Sequence, residues 1–138
     1  MKENFEKGGA SYKAIIESLL NRDVPETSSV LVHFKDKILP VKIKEIALFY
    51  IENEITYLLT FDKNKYSISK TLDELSRICG SRFFRANRQF LVNRKAIIDV
   101  SQYFSRKLSV NISVPFKDKI IISKEKTPVF LAWLQEEE

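Results

Sequence analysis

What this chain lacks narrows its chemistry before any motif is read. It has three glycines in 138 residues, and Gly8 and Gly9 sit in a polar N-terminal stretch, which leaves Gly80 alone in the rest. A phosphate-cradling loop needs clustered glycines so that the backbone can approach the anion without a Cβ in the way, and none can be built here. One cysteine (Cys79) and one histidine (His33) exclude a disulfide framework and a Cys/His zinc cluster. The longest purely apolar run, Ile46–Ile51, falls far short of the ~20 residues a membrane span requires. The N-terminus, MKENFEKGGA, has no apolar segment of the kind a secretory signal carries. A soluble, reducing, cytoplasmic setting without metal or cofactor is the expectation. Catalysis is not expected either: His33 lies mid-strand with no nucleophile nearby, and Glu52 and Glu54 share a polar tip that reads as a solvated turn.

What is present is an ordinary globular composition, with 44% hydrophobic, 12% aromatic and 30% charged residues. The length fits one domain with a real core. The net charge of +5 is unevenly spread. Residues 82–126 hold eleven basic residues against Asp99, Asp118 and Glu125, a local excess of eight positive charges, whereas the tail ends in Glu136, Glu137 and Glu138. Such a stretch is either a footprint that attracts a polyanion or simply a solvated basic face, and charge alone does not separate the two.

Periodicity divides the chain. Tyr12, Ile15, Ile16, Leu19 and Leu20 fall on one stripe of a helix over about 11–22, inside a linker spanning 1–28. That stripe must be buried on the domain, a partner copy or a missing neighbour. From Val30 the period becomes two. Strands are expected around 30–35, 38–44 (an edge strand, because of Pro40), 46–51, 55–61 and 66–69. Thr71-Leu72-Asp73-Glu74 reads as a capping box opening a short helix, which Gly80 stops and in which Cys79 belongs to the buried stripe. Strands are expected again at 90–92, 96–100, 108–114 and 120–122. A C-terminal helix then opens at Ser123 and buries Val129, Phe130, Trp133 and Leu134. The fold class is mainly β and antiparallel, with one short internal helix and a helix at each end.

The stretch FFRANRQFLVN, residues 83–93, carries the most chemistry. As a regular strand it would send Arg85 and Arg88 to opposite faces. As a helical turn or tight loop it would gather Arg85, Arg88 and Gln89 on one exposed side, with Asn87 nearby. Guanidinium forks and carboxamides are the groups that pair bidentately with guanine and adenine edges. The competing interpretation is a salt-bridged surface turn, although the acids that could pair these arginines lie far along the sequence.

With its extension to FFRANRQFLVNRKAI, this stretch resembles the central signature of the LytTR DNA-binding domain, in the branch that reads Arg-x-Asn-Arg-Gln. KEIALFYIENEITYLLT, YSISKTLDELSRI and IIISKEKTPVFLAWL resemble that family's other blocks in order, so the resemblance covers about residues 29–135 and places the domain at 29–138. It implies an elongated antiparallel β-fold that binds duplex DNA through loops in the major groove, at direct-repeat sites. It also implies the role of output domain in a two-component response regulator, downstream of a receiver domain and a sensor kinase, with a homodimer on DNA. Carried over position by position, it implies contacts from Asn53 and Thr56 in a first loop. Arg85, Asn87, Arg88 and Gln89 make up a second, with Arg88 the base reader. Lys124 and Lys126 in Ser123-Lys124-Glu125-Lys126 belong to a third. Lys124 stands where the family has arginine, which keeps the charge but loses the fork. Glu54 is unfavourable near phosphate.

Two other readings compete. Tyr103 and Phe104, the aromatic pair expected at the surface, would serve a single-strand or RNA-binding module by stacking. A protein interaction domain without nucleic acid would use the same fold for other contacts.

Overall fold

The structure, a computed structural model, describes residues 28–136. The amphipathic segment at 11–22 and most of the 1–28 linker lie outside the described residues. The described chain runs β1 (Ser29–Phe34), β2 (Lys37–Lys42), β3 (Ile46–Glu52), β4 (Ile55–Thr60), β5 (Lys65–Ser67) and α1 (Leu72–Cys79). It continues through β6 (Phe83–Asn87), β7 (Phe90–Asn93), β8 (Ile97–Tyr103), β9 (Lys107–Ile112), β10 (Ile120–Ile122) and α2 (Thr127–Gln135). The fold is mainly β and antiparallel.

Seven strands form one sheet in the order β2-β1-β5-β4-β3-β7-β6, and three form a second in the order β10-β9-β8. At β3 and β7 the larger sheet is buried on both faces, which explains the unbroken run in β3. Ile46 and Phe49 join a core with Val32, Leu58, Leu72, Leu75 and Leu91, on the side covered by α1. Ala47, Leu48 and Tyr50 join a second core with Val110, Ile120, Ile122, Phe130 and Trp133, on the side covered by the small sheet and α2. A register shift between Ile46 and Leu48 interrupts strict alternation, so Ala47 and Leu48 share one core. Pro40 lies on β2, at the edge of the sheet, where its missing N–H costs no ladder bond.

Helix α1 starts as the spacing predicts. The Thr71 Oγ1 accepts from the Glu74 N–H at 3.1 Å, and the Glu74 carboxylate accepts from the Thr71 N–H at 2.9 Å. Gly80, at φ 65°, takes the left-handed backbone that ends the helix. Cys79 is fully buried, and burial pushes its thiol up to about 12.

The C-terminal helix departs from expectation. It begins at Thr127 rather than Ser123, because the carbonyl of Ser123 accepts from the N–H groups of Lys126 and Thr127 in a preceding turn. Pro128 then sits in the first helical turn, where its missing N–H has no partner to lose. Starting there, the helix buries Phe130 and Trp133 and leaves Val129 62% exposed, so Val129 is not part of the buried face.

Candidate nucleic-acid interface

Strand direction decides which loops meet. All neighbours in the larger sheet are antiparallel. The β3–β4 and β6–β7 turns therefore emerge at one end, and the β1–β2 and β4–β5 turns at the other. The Ile51 N–H donates to the Gln89 carbonyl at 3.0 Å, tying the two tips side by side.

The β3–β4 tip is a two-residue turn of Asn53 and Glu54, at φ 53° and 66°. Asn53 is exposed, and Thr56 is half-buried on β4. Glu52, just before the tip, is doubly paired: its carboxylate accepts from Lys65 Nζ at 3.4 Å and from Lys117 Nζ. Those bonds hold its carboxyl below the ordinary range.

The segment 83–93 combines the two geometries weighed from the sequence, strand on either side and a tight turn at Arg88-Gln89. It is a hairpin, with a bulge between Arg85 and Asn87 that leaves Ala86 without a cross-strand partner and in the core. Its side chains divide by task. The Arg85 guanidinium donates to the carbonyls of Asn87 and Arg88, each at 2.9 Å, and pairs with Asp73 at the start of α1. An acid for Arg85 is thus supplied by folding rather than by sequence proximity. Asn87 accepts from the Gln89 N–H at 2.8 Å and donates to the Ile121 carbonyl at 2.9 Å, linking the tip to the second sheet. Arg88 and Gln89 are exposed, and among the described residues their side chains carry no hydrogen bond or ion pair. The tip therefore offers one free fork and one free carboxamide on a turn braced from behind.

The third predicted segment converges on the same place. Lys124 is exposed, while Lys126 is half-buried and its Nζ donates to the Arg85 carbonyl at 2.7 Å. Burial, and then the charge of Arg85, pull the Lys126 pKa below its usual value. Between the hairpin and the Ser123–Lys126 turn lies an open cleft of about 570 Å³ walled by Arg85, Arg88, Lys107 and Lys126, with Ala86 and Ile121 as apolar lining. Lys107 was not a sequence candidate. It opens β9, far along the chain from both loops, and no spacing rule links it to them.

Other basic residues of the charged stretch have structural tasks. Arg94 lies over the Trp133 ring at 4.3 Å and donates to the Trp133 carbonyl and to Glu136, holding α2 against the sheet. Of the expected aromatic pair, Phe104 is 79% exposed and Tyr103 half-buried, and the two rings pack edge to face on each other. Other rings pack on one another at the cores, as in Phe84–Trp133 and Tyr50–Phe116. Among the described residues, no group of three or more His, Cys, Asp or Glu is placed to hold a metal ion, and no helix is long and apolar enough to cross a membrane.

Residues 36–135 match the sequence model of the LytTr DNA-binding domain. A solved structure from Bacillus cereus, described as the LytTr DNA-binding domain of a methyl-accepting/DNA response regulator, superposes with a TM-score of 0.68. It is 17% identical, over 79% of this chain and 98% of that one, and so shares the fold. No curated protein gives a significant match.

Proposed function

As the match over residues 36–135 places this chain in the LytTR DNA-binding domain family, a family of transcriptional regulators, we propose that it reads duplex DNA through the gathered loops, with Arg88 and Gln89 as base readers. The observation that carries this reading is the division of labour in the β6–β7 tip, where Arg85 and Asn87 are held within the domain and Arg88 and Gln89 are left outward with their bonding capacity unspent. A braced turn presenting a free fork suits bidentate pairing in the major groove. Arg85 and Asn87 then act chiefly by positioning the tip. Asn53 and Thr56 supply the neighbouring loop, and Lys124 and Lys126 contact phosphate on the far side of the cleft. Attraction to the backbone provides most of the affinity and makes it steeply salt-dependent. In keeping with the family resemblance, the proposed setting is the output half of a two-component regulator acting at direct repeats. A receiver domain and sensor kinase would lie upstream, and copies would pair on DNA.

The test is a fluorescence-anisotropy titration of the 138-residue chain. One probe is a duplex selected by the protein from a random pool, and the other is a random-sequence duplex of equal length. Saturable binding with a strong preference for the selected duplex supports the proposal, and absence of duplex binding even at low salt ends it. Arg88→Ala should cost ~1–3 kcal/mol at the selected duplex and much less at the random one. Lys126→Ala should weaken both alike. Equal losses at both duplexes from Arg88→Ala would remove its role as a base reader.

A further inference from the structure

The loop between β9 and β10 takes no part in the contacts proposed so far, yet it is pinned to the same end of the molecule. Phe116 packs its ring against Tyr50 at 4.9 Å and against Phe90 at 5.7 Å. Tyr50 lies on the strand leading to the Asn53 tip, and Phe90 directly follows Gln89. The aromatic wedge therefore seats the loop between the two hairpins. The next residue, Lys117, keeps its side chain 69% exposed and is bound by Glu52. The same carboxylate takes Lys65, which lies over the Tyr57 ring at 4.2 Å. Lys117, Lys65 and Glu52 thus form a charged cluster beside the tip, with Asp118 close enough to act on Lys117 and Lys119 following it in the chain.

From this geometry we infer that the β9–β10 loop is a further backbone-contacting element of the DNA interface, in which Lys117 and Lys65 bind a phosphate and Glu52 holds them in position until that phosphate displaces it. The inference rests on the duplex-binding reading above. An exposed ion pair with one carboxylate shared between two lysines is weakly held. A backbone phosphodiester offers two non-bridging oxygens that share a negative charge and releases counterions on binding, so it competes well for the lysines. The wedge keeps the loop in place, so that freeing Lys117 from Glu52 does not free the loop itself.

The experiment measures the affinity of wild type, Lys117→Ala, Glu52→Gln and the double variant for the selected and random duplexes at several salt concentrations. Lys35→Ala, on the turn at the opposite end of the sheet, serves as control, and thermal unfolding checks that each variant is folded. Lys117→Ala should weaken both duplexes by a similar factor and shrink the slope of log K against log salt by about one, with Lys35→Ala leaving it unchanged. Glu52→Gln should tighten both, and that gain should shrink in the Lys117→Ala background. If the wild type binds duplex DNA while Lys117→Ala keeps the full salt slope, the loop is not part of the interface and the base-reading proposal still stands. An equal gain from Glu52→Gln with and without Lys117 would overturn the restraint. If the wild type binds no duplex at all, both proposals fall together.

Discussion

Arg85 and Asn87 share a hairpin tip with Arg88 and Gln89, and their chemistry alone does not separate the pairs. The bonds do. Asn87 uses its carbonyl oxygen on the Gln89 N–H and its amide on the Ile121 carbonyl, so it closes the turn and joins the two sheets at once. Asn87→Ala should therefore act on stability first. Removing those bonds costs about 1–3 kcal/mol, which a two-state denaturant titration would read as a lower midpoint with an unchanged slope. Binding should weaken as well, more at the selected duplex than at the random one, because a loosened tip misplaces Arg88. An unchanged midpoint would mean that neither bond contributes. These tasks were only partly visible in the sequence. That 85–89 holds base-reading chemistry follows from residue types. That Arg85 is paired does not, because Asp73 reaches it only when α1 has docked against β6.

Short-range elements were the easiest to foresee, because their determinants sit within a few residues of one another. The capping box of α1, the edge position of β2 and the polar turns follow from local spacing. The start of α2 does not: Ser123 caps a turn rather than the helix, and a serine ahead of a proline-bearing apolar stretch has the same signature in either case. The β3–β4 tip shows a local rule being broken. Glu54 adopts φ 66°, a region in which a residue with a Cβ is strained by about 1 kcal/mol and where Asn-Gly is the preferred pair. Glu54→Gly should relieve that strain and stabilise the domain by roughly 0.5–1 kcal/mol, read as a higher denaturant midpoint. It also removes an anion next to the proposed interface, so affinity for both duplexes should rise. A lower midpoint would show that the Glu54 side chain has a contact of its own to lose.

At the scale of the molecule, a charge excess counted along a stretch of sequence is not the charge that faces a ligand. Residues 82–126 carry an excess of eight positive charges, but folding spends several of these cations on acids from outside the stretch. Arg85 takes Asp73, Arg94 takes Glu136, and Lys117 takes Glu52. The first two pairs brace the hairpin and the terminal helix, and losing them to a phosphate would loosen the scaffold that presents the loops. The third holds only an exposed side chain, so it can be exchanged. The cations left for the backbone at the gathered end are then Lys107, Lys117, Lys124 and Lys126, with Lys65 from outside the stretch, while Arg88 is given to the bases. Five such cations give a slope of log K against log salt of about −4 to −5 per domain, whereas the full excess of eight would give about −7. A titration on random-sequence duplex between low and moderate salt separates the two values. A slope near −7 would mean that further cations join the contact, either Arg82, Arg106 and Lys119 or the paired Arg85 and Arg94, and only in the second case would the hairpin and α2 have to rearrange on DNA. A slope near −4.5 with an unshifted Trp133 fluorescence maximum would mean that the domain binds as a rigid body, since Trp133 lies under Arg94 and donates to the Ser81 carbonyl at 2.7 Å.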